Sequence, residues 1–152
     1  HAEATASAED TGYVPHQPDE MCGEVIRLIV GMLEDNDLCR YADLAQRRCS
    51  PGNFLELVEA YVGTHHRAPQ CAVKQMAVAA RLAPHKFLEL LAAWSTDPRN
   101  QLKLAALEAA AEAHSIGFQR VRLAPVIHRL MHDDDNTVAA SATRKARVMY
   151  RQ

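Results

Sequence analysis

A quartet of large apolar residues, spaced at i, i+3, i+4 and i+7, occurs four times along this chain of 152 residues. That spacing places the four side chains on one stripe of an α-helix. The first members of successive quartets are 28, 33 and 36 residues apart. The quartets are Ile26, Ile29, Val30 and Leu33; Phe54, Leu57, Val58 and Tyr61; Phe87, Leu90, Leu91 and Trp94; and Leu123, Val126, Ile127 and Leu130.

A second amphipathic segment follows each quartet after a short polar stretch, and its inward side chains are smaller. The inward residues are Tyr41, Leu44 and Ala45; Val73, Met76 and Ala77; Leu102, Ala105 and Ala106; and Val138, Ser141 and Ala142. The offset between the two segments is 15 residues in three units and 19 in the second. We therefore expect the second unit to have the longest loop within a pair.

The pattern predicts an all-α chain made of four helix pairs, because each unit supplies one apolar stripe of large residues and one of small residues. Turn residues such as Ser50-Pro51-Gly52 and Ser115-Ile116-Gly117 separate the units. A period of this length with two helices per unit is typical of an α-solenoid. The predicted pairs lie near residues 18–50, 51–82, 83–116 and 117–152.

Residues 1–17 have few large apolar side chains, and we expect them to form a disordered acidic tail. The chain opens on His1 and stops within a helical pattern at Gln152, as expected for a piece excised from a longer protein. No apolar run approaches the ~20 residues of a membrane span, so we expect no membrane partner. Because the N-terminal stretch also lacks the features of a signal peptide, we expect an intracellular location, cytoplasmic or nuclear.

The four cysteines are separated by 17, 10 and 22 residues, and no Cys-x-x-Cys pair occurs among them. They are Cys22, Cys39, Cys49 and Cys71. We expect buried, unpaired thiols that act as small apolar side chains in a reducing compartment.

Two segments resemble the HEAT repeats of the armadillo-like superfamily. Phe87–Leu91 with Asp97–Lys103, and Leu123–Leu130 with Asp133–Val138, look like that family's first helix, Asp-containing turn and second helix. Pro125 matches a proline that HEAT repeats often carry in the first helix. The resemblance implies a right-handed α-solenoid of about four HEAT-like pairs, with the second helices lining a concave surface.

The outer units depart from that family's pattern. The basic residue that follows the second-helix opener is Lys74 or Lys103 in the middle units, but Ala42 and Ala139 occupy this position in the outer units. The turn Asp is missing from the second unit. The resemblance therefore supports the architecture more than any one activity.

Catalytic motifs are hard to find, so we expect no enzyme activity, no cofactor and no metal site. The sequence has no Gly-rich phosphate loop and no Gly-x-Ser-x-Gly turn. His128 and His132 are four residues apart and precede three aspartates, but no Glu follows His128 as in a zinc protease. We interpret this cluster as a polar helix end.

Charge divides the chain into an acidic and a basic part. Residues 1–66 have 4 basic and 12 acidic side chains, whereas residues 67–152 have 13 basic and 7 acidic. The second helices contain the residues that we expect to bind a partner, namely Lys74, Arg81, Lys103, Arg144, Lys145 and Arg147. We expect further contacts from the loop residues His65, His66 and Arg67, while Arg120, Arg122 and Arg129 belong to a first helix on the opposite surface.

These features predict a protein-interaction scaffold or adaptor that binds an acidic protein through a basic helical groove. A nucleic-acid backbone and the acidic surface of tubulin are alternative partners for the same groove. A pI of about 6.5 and the lack of exposed-looking aromatic residues disfavour nucleic acid. The acidic loop Asp133–Asp135 disfavours tubulin. The sequence leaves the oligomeric state open.

Overall fold

The computed structural model describes residues 34, 38, 40 and 50–151, and this part of the chain contains α-helices and no strand. Within residues 50–151 the helices are α1 (Pro51–His65), α2 (Gln70–Ala80), α3 (Pro84–Ser95), α4 (Asn100–Ser115), α5 (Arg120–Met131) and α6 (Asn136–Met149). The predicted all-α class is confirmed for these residues. The predicted tail 1–17 and nearly all of the first pair, 18–50, lie outside the described residues.

Local capping explains where several helices begin. The Ser50 hydroxyl oxygen accepts a hydrogen bond from the Asn53 backbone N–H at 3.3 Å, and Pro51 occupies the first turn of α1. Asp135 caps α6 by accepting from the backbone N–H groups of Thr137 and Val138 at 2.9 and 3.1 Å. Such side-chain oxygens satisfy N–H groups that have no partner within the helix.

The helices pack in a regular order. Close contacts join α1 to α2, α3 to α4 and α5 to α6, the two helices of each pair. The first helices also contact each other in sequence, α1 with α3 and α3 with α5, and the second helices do the same, α2 with α4 and α4 with α6. Helix α4 is central because it packs against α2, α3, α5 and α6.

The apolar stripes form the core, as the spacing predicted. Every member of the three quartets that begin at Phe54, Phe87 and Leu123 is buried, and Leu38 joins the same core. Phe87 packs edge-on against Phe118 with ring centroids 5.4 Å apart. None of the described helices has the length and apolar character of a membrane-spanning segment.

The extra residues of the second unit lengthen a helix and not a loop, so the expected long loop is wrong. Helix α1 has 15 residues, whereas α3 and α5 have 12 each. The connections within the pairs, 66–69, 96–99 and 132–135, have the same length. Helix α1 ends at His66, whose φ of 60° is left-handed and whose backbone N–H donates to the Val62 carbonyl oxygen at 2.7 Å.

Cys71, in the first turn of α2, is partly buried and disulfide-bonded. Its partner cysteine lies outside the described residues. The expectation of a buried, unpaired thiol is therefore wrong for Cys71. Because disulfides persist mainly in oxidising compartments, the cysteines no longer support a reducing one.

Candidate functional site

The helix connections lie at two opposite edges of the helix array. The within-pair edge comprises 66–69, 96–99 and 132–135, and the inter-pair edge comprises 81–86, 115–122 and the C-terminal 147–151. The charged side chains at these two edges differ in how they are paired.

Contacts between successive units hold the within-pair edge together. Lys103 Nζ lies 2.8 Å from Asp133 Oδ1, and Asn100 Nδ2 donates to Asp135 Oδ2 at 2.9 Å. Both contacts join the start of α4 to the loop before α6. Arg129 similarly donates to the Ser95 hydroxyl oxygen at 3.3 Å, joining the ends of α5 and α3. The charges at this edge therefore serve to connect helices.

The aspartates of the within-pair edge have lowered pKa values. The hydrogen bond from Lys103 is the main cause for Asp133, with a further contribution from the Asp135 backbone N–H. The pKa of Asp135 is lowered first by the backbone N–H of Val138 and then by Asn100. Each contact favours the ionised carboxylate. In this acidic loop, Asp135 is thus the cap of α6 and Asp133 is an ion-pair partner of Lys103.

The inter-pair edge is basic, and its three segments contain no Asp or Glu. Its basic residues are Arg81, Lys86, Arg120, Arg122, Arg147 and Arg151. Lys86 is neutralised from outside these segments, because its Nζ lies 2.7 Å from Glu59 Oε1 and 3.8 Å from Glu89 Oε1. The hydrogen bond from Lys86 to Glu59 is the main cause of the raised pKa of Lys86.

Two of the arginines at the inter-pair edge are held by contacts other than ion pairs with described residues. The Arg120 guanidinium donates to the Met149 carbonyl oxygen at 3.4 Å, and the Tyr150 hydroxyl donates to the Arg120 carbonyl oxygen at 2.7 Å. Burial raises the pKa of Tyr150, so its hydroxyl stays protonated as a donor. The Arg122 guanidinium carbon lies 5.5 Å from the centroid of the Phe118 ring, a cation–π contact.

A small groove lies between the first two segments of the inter-pair edge. Its volume is about 190 Å³, and it is lined by Ala80, Arg81, Pro84, Gly117, Phe118, Gln119 and Arg122. Gly117 has a φ of 104°, which suits glycine, and no atom would crowd a Cβ there. Arg81 and Arg122 therefore share one surface, so the predicted placement of Arg122 opposite Arg81 is wrong.

The predicted partner-binding residues do not form one groove. Arg81 follows α2 at the inter-pair edge, whereas Lys103 lies in the first turn of α4, about 18 Å along the helix from the end that approaches Arg81. Lys103 is paired with Asp133, and Lys145 Nζ lies 3.1 Å from Glu108 Oε1. Lys74, Arg144 and Arg147 are exposed.

A second groove does bring two of the predicted residues together. It lies between α4 and α6, has a volume of about 510 Å³, and is lined by Leu104, Leu107, Glu108, Ser141, Arg144, Lys145 and Val148. The Arg144 guanidinium donates to the Ser141 hydroxyl oxygen at 3.2 Å. Because Glu108 neutralises Lys145, Arg144 carries the uncompensated charge of this groove.

The predicted loop contacts are only partly available to a partner. The ring of His65 packs on Tyr61 with centroids 4.1 Å apart, and its Nε2 is buried without a hydrogen-bond partner among the described residues. His65 therefore belongs to the end of α1 and does not protrude. His66 and Arg67 are exposed.

His128 lies in the last turn of α5, and His132 immediately follows the helix. The rings of His128 and His132 are 4.4 Å apart, and His132 Nδ1 lies 2.9 Å from the His128 carbonyl oxygen. Across the part of the chain that the structure describes, no three His, Cys, Asp or Glu side chains are placed to hold a metal ion.

Sequence reasoning missed Arg122 and the exposed aliphatic residues Leu82, Ile116 and Val121, all of which lie at the inter-pair edge. The signal that could have found them is the absence of acidic residues from 81–86, 115–122 and 147–151. Comparisons of the chain with protein-family models, with curated proteins and with solved structures find no significant match.

Proposed function

We propose that this chain is a non-catalytic interaction module, built of HEAT-like helix pairs stacked as a right-handed α-solenoid, that binds an acidic protein partner. One observation carries the proposal. Lys74, Arg81, Arg144 and Arg147 are exposed cations on or next to the second helices, and none of them forms an ion pair with a described residue.

Exposed cations without a neighbouring carboxylate raise the local positive potential, and this increases the association rate of an acidic partner. Several other cations are used for the chain's own structure: Lys86, Arg99, Lys103 and Lys145 pair with carboxylates, and Arg129 joins two helices through Ser95. By contrast, Lys74, Arg81, Arg144 and Arg147 form no ion pair with a described residue. This division supports a surface that recognises negative charge.

The packing of the helices supports the architecture in this proposal. Each helix pair contacts the next through both its first and its second helix, which is how repeat proteins bury faces that one pair leaves exposed. Pro125, inside α5, occupies the position at which the resembling family often has a proline. A surface of adjacent second helices is the part of such a fold that takes extended partners.

The compartment is a separate matter, and the predicted intracellular location stays a prediction. The Cys71 disulfide argues against a reducing compartment. Alkylation of thiols before and after reduction, followed by mass spectrometry of protein taken from its native source, would show whether Cys71 is oxidised there. Full alkylation of Cys71 without reductant would restore the intracellular prediction.

Binding of simple polymers by the full chain tests the function. We expect the chain to bind polyglutamate at low ionic strength and to lose that binding as salt is added. We expect no binding of polylysine. Mixed-sequence duplex DNA serves as the competing ligand. Failure to bind polyglutamate, or tighter binding of the DNA, would overturn the proposal.

Matched single charge reversals extend that test. Lys74→Glu changes an exposed cation without an ion-pair partner, and Arg99→Glu makes the same change at a residue that already lies 3.3 Å from Asp97. We expect Lys74→Glu to weaken polyglutamate binding and Arg99→Glu to leave it close to that of the unmodified chain. Equal loss in both variants would show that net charge alone governs binding.

A further inference from the structure

The groove between Arg81 and Arg122 has features that the proposed function does not specify. Two guanidinium groups border it, and the segments that form it contain no carboxylate. Planar guanidinium groups bind carboxylates through two parallel hydrogen bonds, which a lysine cannot do. The groove is therefore suited to acidic side chains more than to negative charge in general.

Arg122 is positioned before any partner binds. Its guanidinium lies against the Phe118 ring, and Phe118 packs on the fully buried Phe87. A side chain held in this way loses less conformational entropy on binding than a mobile one. In addition, neither α3 nor α5 has a side-chain cap at its N-terminus, so backbone N–H groups with partial positive charge lie beside the groove.

Exposed aliphatic side chains alternate with the arginines. Leu82, next to Arg81, is 76% exposed, and Val121, next to Arg122, is 73% exposed. Ile116 precedes Gly117 at the same edge and is also exposed. Side chains of this size gain free energy when an apolar partner covers them.

We propose that the inter-pair edge around Arg81 and Arg122 is the docking site for an acidic segment of another protein, in which Asp or Glu residues alternate with aliphatic residues. The carboxylates bind the two arginines, and the aliphatic side chains cover Leu82, Ile116 and Val121. This inference rests on the proposed function and names its site and the chemistry of its partner.

The alternatives fit the edge less well. A nucleic-acid backbone would satisfy the arginines but would leave the three aliphatic side chains uncovered, and Phe118, the aromatic residue of the groove, is buried and unable to stack with a base. At the within-pair edge of a second copy, Asp133 and Asp135 are already bound to Lys103 and Asn100 and are not free to bind these arginines.

Fluorescence anisotropy with the full chain and a short labelled peptide of alternating Asp and Leu tests the site. Polyglutamate of the same length, an alternating Lys–Leu peptide and single-stranded DNA are the comparison probes. We expect the Asp–Leu peptide to bind about tenfold more tightly than polyglutamate, because apolar contacts add to the charge pairs. Equal affinity for the two acidic probes would overturn the inference.

Two matched double variants locate the binding surface. Arg81→Glu with Arg122→Glu changes the inter-pair edge, and Lys74→Glu with Arg144→Glu makes the same change of charge on the second helices α2 and α6, outside that edge. We expect at least about tenfold weaker peptide binding from the first variant and a much smaller loss from the second. Far-UV circular dichroism of both variants checks that each is folded, and Arg81→Gln with Arg122→Gln is a milder replacement should the reversal unfold.

A third variant separates the apolar contacts from the charges. Leu82→Ser with Val121→Ser should reduce affinity for the Asp–Leu peptide and leave polyglutamate binding unchanged. If only the variant with Lys74→Glu and Arg144→Glu weakened binding, the inference would fail while the proposed function stood. If no variant changed binding and no acidic probe bound, the proposed function would fail as well.

Sedimentation at rising protein concentration reports self-association of the chain. If the chain formed a dimer that Arg81→Glu with Arg122→Glu disrupts, the partner at this edge would be a second copy and the inference would be overturned.

Discussion

The within-pair and inter-pair edges join the same helices, but they use charge in different ways. At the within-pair edge Lys103 pairs with Asp133 and Asn100 donates to Asp135, and both contacts fix α4 against α6. At the inter-pair edge Lys86 pairs with Glu59 of the preceding unit, but the link beside the groove is the apolar contact of Phe87 with Phe118, and Arg81 and Arg122 form no ion pair with a described residue. The comparison shows that charge count alone does not identify a binding surface, because what matters is which charges remain uncompensated after folding.

The largest expected effect concerns the apolar link under the inter-pair edge. Phe87→Ala removes a fully buried ring that contacts Phe118, and we expect it to lower the free energy of unfolding by about 3 to 5 kcal/mol. Urea unfolding followed by circular dichroism measures this loss. Val121→Ala, at an exposed position of the same edge, is the control and should change stability by less than about 0.5 kcal/mol.

Charge reversal at the within-pair edge should be the next largest effect. The side chains of Lys103 and Asp133 are only 15% and 11% exposed, so Lys103→Glu would place two carboxylates together in a poorly solvated site. We expect a loss on the order of 2 to 3 kcal/mol in urea unfolding. The charge-swapped double variant Lys103→Glu with Asp133→Lys should recover part of the lost free energy of unfolding. If Lys103→Glu alone were as stable as the unmodified chain, this ion pair would contribute nothing to stability.

Acid should act through the same edge. The pKa values of Asp133 and Asp135 are lower than the ordinary value of 3.8, so these groups bind protons more readily when the chain is unfolded. The stability that they contribute is complete above that value and declines as pH falls through their native pKa values. We expect the melting temperature to fall below about pH 4, and to fall less steeply in Lys103→Met, which removes the main cause of the Asp133 shift.

The smallest expected effect on stability is at the inter-pair edge. Arg81→Glu with Arg122→Glu changes net charge by twice as much as Lys103→Glu, yet among the described residues it breaks no ion pair and only one cation–π contact. We expect a loss of less than about 1 kcal/mol in thermal unfolding. A loss as large as that of Lys103→Glu would show that the two edges do not differ, and the comparison between them would be wrong.

Much of the core was predictable because helical periodicity is a local property. The stripes that begin at Phe54, Phe87 and Leu123 were placed correctly from spacing alone. The site was less predictable, because pairing depends on residues distant in sequence. Lys103 meets Asp133, and Arg81 shares a groove with Arg122, only after three helices have packed.

The other errors concern the end of α1 and the state of Cys71. The extra residues of the second unit could extend either a loop or a helix, and the left-handed conformation of His66 decides that α1 continues to His65. Spacing also gave no indication that Cys71 is disulfide-bonded, because its partner is not in a local motif such as Cys-x-x-Cys. Each of these features depends on contacts that periodicity does not encode.

The central position of α4 has a consequence for how the molecule opens. Helix α4 packs against four of the other described helices, whereas α6 makes its close contacts with α4 and α5. In chains whose elements contact only their near neighbours, local opening begins where contacts are fewest and spreads from one element to the next. Amide hydrogens in α4 should therefore exchange with solvent more slowly than those in α6. Comparing the exchange rates of the second helices would then show which unit opens first.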